Sequence, residues 1–247
     1  SERELLIARA REHLRDEAKP LQLSAKLIDD AQVFDAQYNG KGGAVVRFRQ
    51  YADGIEVFYR SLNVLLARDN RPVAVSGYFA TDYNPNSLGA AGFALSAPQA
   101  IAAAWGNLGG TLDASLLSLK QTKGVWQLFS MPTPAGNYRF EREPRVKKVW
   151  YPRAGALEPA YFVELFMQNK NRGGLLAHAF VVSAGNGRIL HRQNLKADAA
   201  WTYRVFADPA SSILEPNDNP LGDGYTPFPG ELSTSKLPRI GVATSLV

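Results

Sequence analysis

The feature that most constrains the fold is a set of alternating, strand-like runs separated by tight-turn dipeptides. Val45–Tyr51 and Ile55–Ala67 flank Asp53-Gly54, and Asp69-Asn70 leads into a third run, Val73–Phe79. Asp-Gly favours a two-residue hairpin loop because Gly and Asp tolerate the positive φ that such a turn requires. The three runs therefore predict an antiparallel meander.

Two segments carry the signals that begin an α-helix. Ser1-Glu2-Arg3-Glu4 and Ser96-Ala97-Pro98-Gln99 both place a hydroxyl at the cap and a Glu or Gln three residues later, which is the capping-box pattern. The apolar positions that follow at helical spacing are Leu6, Ala10 and Leu14 in the first helix and Ile101, Ala104 and Trp105 in the second. We expect both stripes to be buried.

Further strand-like runs fill the chain from about residue 116 to 194, with Asn186-Gly187 as another hairpin signal. A helix followed by strands thus occurs twice. The pattern predicts an α+β fold made of two cystatin-like units, each a helix on an antiparallel sheet. Their expected bounds are residues 1–80 and 96–195.

The amino-acid composition changes over residues 196–247, where six prolines interrupt any regular element. This segment predicts an extended, Pro-rich tail that cannot build its own core. Buried aromatic side chains often dominate an interface. We therefore interpret the five aromatics along the tail as candidate partner-binding residues: Trp201, Tyr203, Phe206, Tyr225 and Phe228.

The amino-acid composition excludes several classes of site and partner. The 247 residues include no cysteine, which excludes disulfides, thiolate nucleophiles and thiolate metal ligands. No apolar run reaches the roughly 18 residues that a membrane-spanning helix needs. The formal net charge is +5, with both signs mixed along the chain, which does not point to nucleic acid. No signal peptide is visible, as expected of a trimmed chain.

Candidate catalytic and metal-binding residues are few. A zinc protease site of the H-E-x-x-H type needs two imidazoles four residues apart on one helix face. The chain has only His13, His178 and His191; none precedes a Glu and no two are four apart. We therefore expect no catalytic residue, no metal ligand and no cofactor site in this chain.

Three groups of charged residues are candidates for acid–base or nucleic-acid-binding sites. The pairs Glu141/Glu143 and Asp29/Asp30 could act as acid–base carboxylates, but we interpret them as solvated loop charge. Basic residues interleaved with aromatics can bind single-stranded nucleic acid. That cluster consists of Arg142, Arg145, Lys147 and Lys148 beside Trp150 and Tyr151. We expect it to be an exposed loop entering a strand, and expect no nucleic-acid partner.

Four stretches resemble parts of known protease precursors. Val45–Phe58, with its aromatic and Gln before a polar-Gly turn, resembles the fungalysin/thermolysin propeptide module. Leu95–Ile101 and Val181–Leu190 resemble the start and end of a PepSY-type module, although Ser183 stands where that family often has Asp. Trp201–Pro209 resembles the junction between pro-region and enzyme in fungalysin-type proteases.

These resemblances imply the pro-region of a secreted zinc metalloendopeptidase. Such a pro-region acts as an intramolecular chaperone and as an inhibitor that covers the catalytic cleft until it is cleaved. The implied partner is the cognate catalytic domain, which would hold the zinc. Two alternatives remain open: a free-standing secreted or periplasmic binding or inhibitor module, and an uncharacterised enzyme on an α+β scaffold.

Overall fold

A computed structural model describes residues 2–38, 42–84, 92–130, 138–169 and 174–196. Ser1–Lys196 forms one compact unit. The predicted tail beyond Lys196 lies outside the described residues, and so do its five aromatic candidates: Trp201, Tyr203, Phe206, Tyr225 and Phe228. No helix in the described ranges is long and apolar enough to cross a membrane.

The first half of the compact unit places one helix on a four-stranded antiparallel arrangement. Its elements are α1 (Glu2–Asp16), α2 (Ala25–Asp30), β1 (Gln32–Tyr38), β2 (Ala44–Ala52), β3 (Ile55–Leu66) and β4 (Pro72–Tyr78). Leu6, Ala10 and Leu14 of α1 are buried against β2 and β3, as predicted. Asp53 and Gly54 have φ of 49° and 72°, which confirms the tight turn of the meander.

The second half repeats a helix beside strands. Its elements are α3 (Ala97–Asn107), a 3₁₀ turn (Ala114–Leu116), β5 (Ser118–Lys123), β6 (Trp126–Ser130), β7 (Tyr138–Arg153), β8 (Ala156–Asn169), β9 (Leu175–Ser183) and β10 (Ile189–Asn194). The predicted capping box is present: the Gln99 amide donates to Ser96 Oγ, and the Ser96 amide donates to Gln99 Oε1. The stripe of Ile101, Ala104 and Trp105 is buried.

The strands of both halves join in one sheet. Among the described residues it has ten strands, with the main order β1-β2-β3-β7-β8-β9-β10; β4 pairs with β3, and β5 pairs with β6, which in turn pairs with β7. The α+β class is confirmed, as a large sheet with few helices. The division into two cystatin-like units stays a prediction, since β3 and β7 connect the strands of both halves.

The two halves connect where β3 changes its pairing partner from β2 to β7. Arg49 of β2 pairs with Ser61 of β3, but two residues later Tyr51 pairs with Glu56. The intervening residues 57–60 therefore lack a β2 partner of their own, and Val57 instead forms a parallel bridge with Trp150 of β7. We call this the β3–β7 joint.

Polar contacts fix the joint. The buried indole of Trp150 donates its Nε1 hydrogen to the carbonyl oxygen of Ala52 at 2.8 Å. Nearby, the buried Gln50 side chain donates to and accepts from the backbone of Ala80, both at 2.7 Å. Because buried polar groups are costly when unpaired, the bond from Trp150 to Ala52 favours one arrangement of the two halves, whereas the Gln50 bonds lie within the first half.

The fold predicts a large effect of truncating Trp105. Its ring is buried beneath β7, with the ring centroids of Tyr138 and Phe140 at 5.7 and 5.5 Å. Gly110 approaches so closely that an added Cβ would lie 1.9 Å from Trp105 Nε1. Trp105→Ala should therefore lower the free energy of unfolding by about 3–5 kcal/mol, the usual cost of such a cavity.

Urea denaturation followed by far-ultraviolet circular dichroism measures this loss. The matched control is Trp126→Ala, because that ring is only half-buried and should give a smaller loss. An unchanged midpoint for Trp105→Ala would contradict the placement of α3.

Candidate partner-binding surface

The faces of β2 and β8 that α1 and α3 leave uncovered carry polar and aromatic side chains. Along β2 each buried residue alternates with a half-buried one, so Val46 and Phe48 face α1 whereas Arg47 and Arg49 point the other way. Along β8, Val163 faces α3, and its neighbours Phe162 and Glu164 face away from it.

The β3–β7 joint brings these two uncovered faces to a common concavity. Its volume is about 380 Å³. We call it the aromatic–basic groove, and its principal lining residues are Phe34, Arg49, Tyr59, Arg60, Trp126, Lys147 and Phe162. It therefore draws residues from β1, β2, β3, β6, β7 and β8.

Charges in the groove lie in two layers. The carboxylates of Glu56 and Glu164 form the inner layer, with side chains only 15% and 11% exposed. The arginines beside them lie further out, since Arg49 is 42% exposed and Arg145 is 47% exposed. The surface offered to solvent is therefore positive, although acids lie beneath it.

Ion pairs hold the inner carboxylates, and the ammonium of Lys147 lies in the inner layer with them, since that side chain is only 10% exposed. Glu56 Oε2 lies 2.5 Å from Lys147 Nζ and 3.7 Å from a terminal nitrogen of Arg49. Glu164 Oε2 lies 2.5 Å from Arg145 Nε. Glu56 thus bridges cations from both halves of the compact unit.

Aromatic rings support the outer guanidinium groups. The guanidinium carbon of Arg49 lies 4.3 Å from the ring centre of Phe34, and that of Arg145 lies 4.6 Å from Trp126. These are cation–π distances. Stacking on a ring restricts the guanidinium plane and leaves its N–H edge available for an oxygen ligand.

Tyr59 is strained at the edge of the groove. It adopts a φ of 51°, which for a bulky residue costs about 1–3 kcal/mol. Its ring stacks on Phe58 at 4.0 Å, and its hydroxyl donates to Gln193 Oε1 at 2.6 Å. Tyr59 is 59% exposed, so this strained residue presents an aromatic ring to solvent.

The predicted basic cluster is divided by strand geometry. The expected strand over residues 146–151 is confirmed, but the expected loop before it is wrong, because residues 142–145 also belong to β7. Lys147 lines the groove, and Arg145 packs over the ring of Trp126 at its edge. Lys148 points to the opposite face, over the ring of Phe93 at 4.6 Å. Trp150 is buried and Tyr151 half-buried.

The two carboxylate pairs are ion-paired rather than grouped into a site. Glu141 and Glu143 lie in β7 and not in a loop; Glu141 is 3.7 Å from Arg139, and Glu143 contacts Lys120. Asp29 and Asp30 end α2, where Arg15 lies 2.9 Å from Asp29 and Lys26 lies 2.7 Å from Asp30. All four carboxylates therefore have basic partners.

The three histidines lie on separate elements: His13 on α1, His178 on β9 and His191 on β10. His178 is buried, with its Nε2 at 3.2 Å from a terminal nitrogen of Arg192. His191 packs against the rings of Phe58 and Tyr59. Within the described ranges, no three His, Asp or Glu side chains are grouped as a metal site.

Sequence reasoning missed most of the groove. Phe34, Tyr59 and Trp126 were not singled out, and the strand that carries Phe34 was not predicted. One local signal was available: Arg47 and Arg49 alternate with buried apolar residues on β2, which places both guanidinium groups on one face.

His178 predicts a pH-dependent stability. Burial lowers its pKa, and the neighbouring Arg192 lowers the pKa further. The unfolded chain takes up this proton near pH 6.5, whereas the folded chain does so only at lower pH. The free energy of unfolding therefore decreases as the pH falls below about 6.5. His178→Gln removes this term and should lose less stability on acidification.

Urea denaturation of both proteins at about pH 7.5 and about pH 5.5 measures the difference, on either side of the ordinary histidine pKa. Equal losses in His178→Gln and the unsubstituted chain would contradict the assignment.

Comparisons with known proteins identify one family motif, which lies in the first half of the compact unit. Residues 29–79 match the family described as Fungalysin/Thermolysin Propeptide Motif. No curated protein sequence matches the chain. Among solved structures, the Bacillus megaterium YpeB C-terminal domain is 12% identical over 78% of this chain, with a TM-score of 0.30. The chain spans 65% of that solved chain. The matched residues run from the end of α2 through β4, so the first half of the compact unit carries a propeptide motif.

Proposed function

We propose that this chain is the pro-region of a secreted zinc metalloendopeptidase, and that it inhibits the catalytic domain and assists its folding. The observation that carries the proposal is the propeptide motif at residues 29–79. The motif coincides with whole structural elements, β1 to β4, and not with a fragment of them. This agreement supports the interpretation of residues 29–79 as part of a propeptide module.

One interface can perform both roles. A chain that binds only the native catalytic domain stabilises that domain by mass action. If the same contact covers the cleft, it excludes substrate. The sequence contains no H-E-x-x-H, so the zinc and its ligands would belong to the partner catalytic domain.

The parts of the chain would divide this work. We propose a fungalysin/thermolysin propeptide-like module at residues 1–80, a PepSY-like module at 96–195 and an extended junction at 196–247. The junction would lie along the cleft as an added strand, a common mode of peptide binding. Its proposed contact residues are Trp201, Tyr203, Phe206, Tyr225 and Phe228.

Removing the tail tests whether residues 196–247 contribute to inhibition. We expect the chain truncated to residues 1–199 to remain folded, because Ser1–Lys196 is a compact unit. Its inhibition constant against the cognate catalytic domain should rise by at least about tenfold, since a single buried aromatic anchor can contribute about 2 kcal/mol. The measurement is steady-state inhibition by the full and the truncated chains.

Circular dichroism of the truncated chain provides the folding control. Equal inhibition constants would place inhibition in the compact unit and contradict the proposed role of the tail. A parent polypeptide without a zinc protease domain, together with no inhibition of any zinc endopeptidase tested, would contradict the proposed function itself.

A further inference from the structure

We propose that the aromatic–basic groove is a docking surface for an acidic polypeptide segment of a protein partner. The proposed function supplies only the identity of that partner, the catalytic domain. The surface and the chemistry of its ligand follow from the groove itself.

The outer layer of the groove is built to bind carboxylates. Arginine holds a carboxylate through two parallel N–H donors, which makes the pair both strong and directional. Arg49 is fixed over Phe34 and lies 3.7 Å from Glu56, beyond hydrogen-bond distance. Its N–H edge can therefore take a further oxygen ligand.

Arg60 adds a second cation to the same rim. Its guanidinium carbon lies 4.6 Å from the ring centre of Tyr78. One terminal nitrogen donates to the backbone oxygen of Tyr59 at 3.2 Å. Its Nε is buried without a hydrogen-bond partner among the described residues. Because that nitrogen is enclosed, an incoming carboxylate would contact the terminal N–H groups of the guanidinium instead.

The balance of charge favours a peptide over a polyanion. Arg49, Arg60 and Lys147 line the groove together with Glu56 and Glu164, and Arg145 pairs with Glu164, which leaves two net positive charges. The affinity of nucleic acid depends on the number of phosphates that cations neutralise, and so small an excess of cations would neutralise few phosphates. One or two carboxylates on a peptide match this surface better.

The aromatic rings indicate what accompanies those carboxylates. Tyr59 and Phe34 are exposed beside the arginines, and exposed rings near a groove commonly supply apolar contact area at interfaces. The ligand would therefore combine acidic residues with a neighbouring apolar side chain. A phospholipid surface would not need this arrangement of inner acids and stacked arginines.

Binding of the fluorescein-labelled hexapeptide Gly-Glu-Leu-Glu-Phe-Gly, which combines two acidic residues with apolar side chains, to the full chain tests the proposal. Fluorescence anisotropy at low ionic strength gives the dissociation constant. We expect the Arg49→Gln/Arg60→Gln variant to bind at least tenfold more weakly. The matched control is Arg9→Gln/Arg15→Gln, which removes the same charge from α1, away from the groove; it should bind within twofold of the unsubstituted chain.

A second variant keeps the test valid if the first does not fold. Arg49→Lys/Arg60→Lys preserves the charge but removes the paired donors, so we expect severalfold weaker binding with an unchanged thermal transition. Equal binding by this variant and the unsubstituted chain would overturn the role of arginine geometry.

Other outcomes would overturn the docking proposal as a whole. These are no binding of this hexapeptide, equal losses in the groove variant and the α1 control, or tighter binding of an oligothymidylate or of phosphatidylserine vesicles than of the peptide. Because no protease is present in this assay, its failure leaves the inhibition measurement, and hence the proposed function, to be judged separately.

Discussion

The transfer of β3 from β2 to β7 is the constraint on which the rest of the compact unit depends. It is anchored by the parallel bridge between Val57 and Trp150 and by the indole hydrogen bond to Ala52. Without it the two helix-bearing halves would have separate sheets. With it, the uncovered faces of both halves meet in one groove, and residues 57–60 leave the regular ladder of β2.

The joint combines apolar burial, which stabilises it, with polar contacts that specify its geometry. Val57 and Trp150 are buried in one apolar cluster that spans both halves, and Phe58 and Val149 are buried in another. A single bridge contributes few backbone hydrogen bonds, and the Lys147–Glu56 ion pair across it is largely buried. Burying two charges offsets much of their mutual attraction. Their main effect is therefore to select one relative position of the halves. Tyr59, at this joint, adopts a positive φ of 51°.

Local features of the fold were predictable from the sequence, whereas long-range ones were not. The stripes of Leu6 and Trp105, the capping box at Ser96 and the turn at Asp53 follow from residue spacing and cap chemistry, and all were found. The pairing of Glu56 with Lys147 spans 91 residues, and no periodic pattern reports such a contact. The groove therefore could not be predicted, even though Lys147 was noticed as a basic residue.

The same limit explains the error at residues 142–145. Their charges suggested a loop, because dense charge is typical of solvent-exposed segments. In the structure, alternate residues of β7 face opposite sides of the sheet, and the acids Glu56 and Glu164 from neighbouring strands accept the cations. Tertiary partners thus allowed a strand that composition alone disfavoured.

Native-state hydrogen exchange of the full chain most directly tests whether the joint unites the two halves. If it does, the slowest-exchanging amides of β2 and of β8 will report the same free energy of opening. In Trp150→Phe, which lacks the indole donor to Ala52, the two strands will report different values. Different values for β2 and β8 already in the unsubstituted chain would contradict the account, because each half would then open by itself.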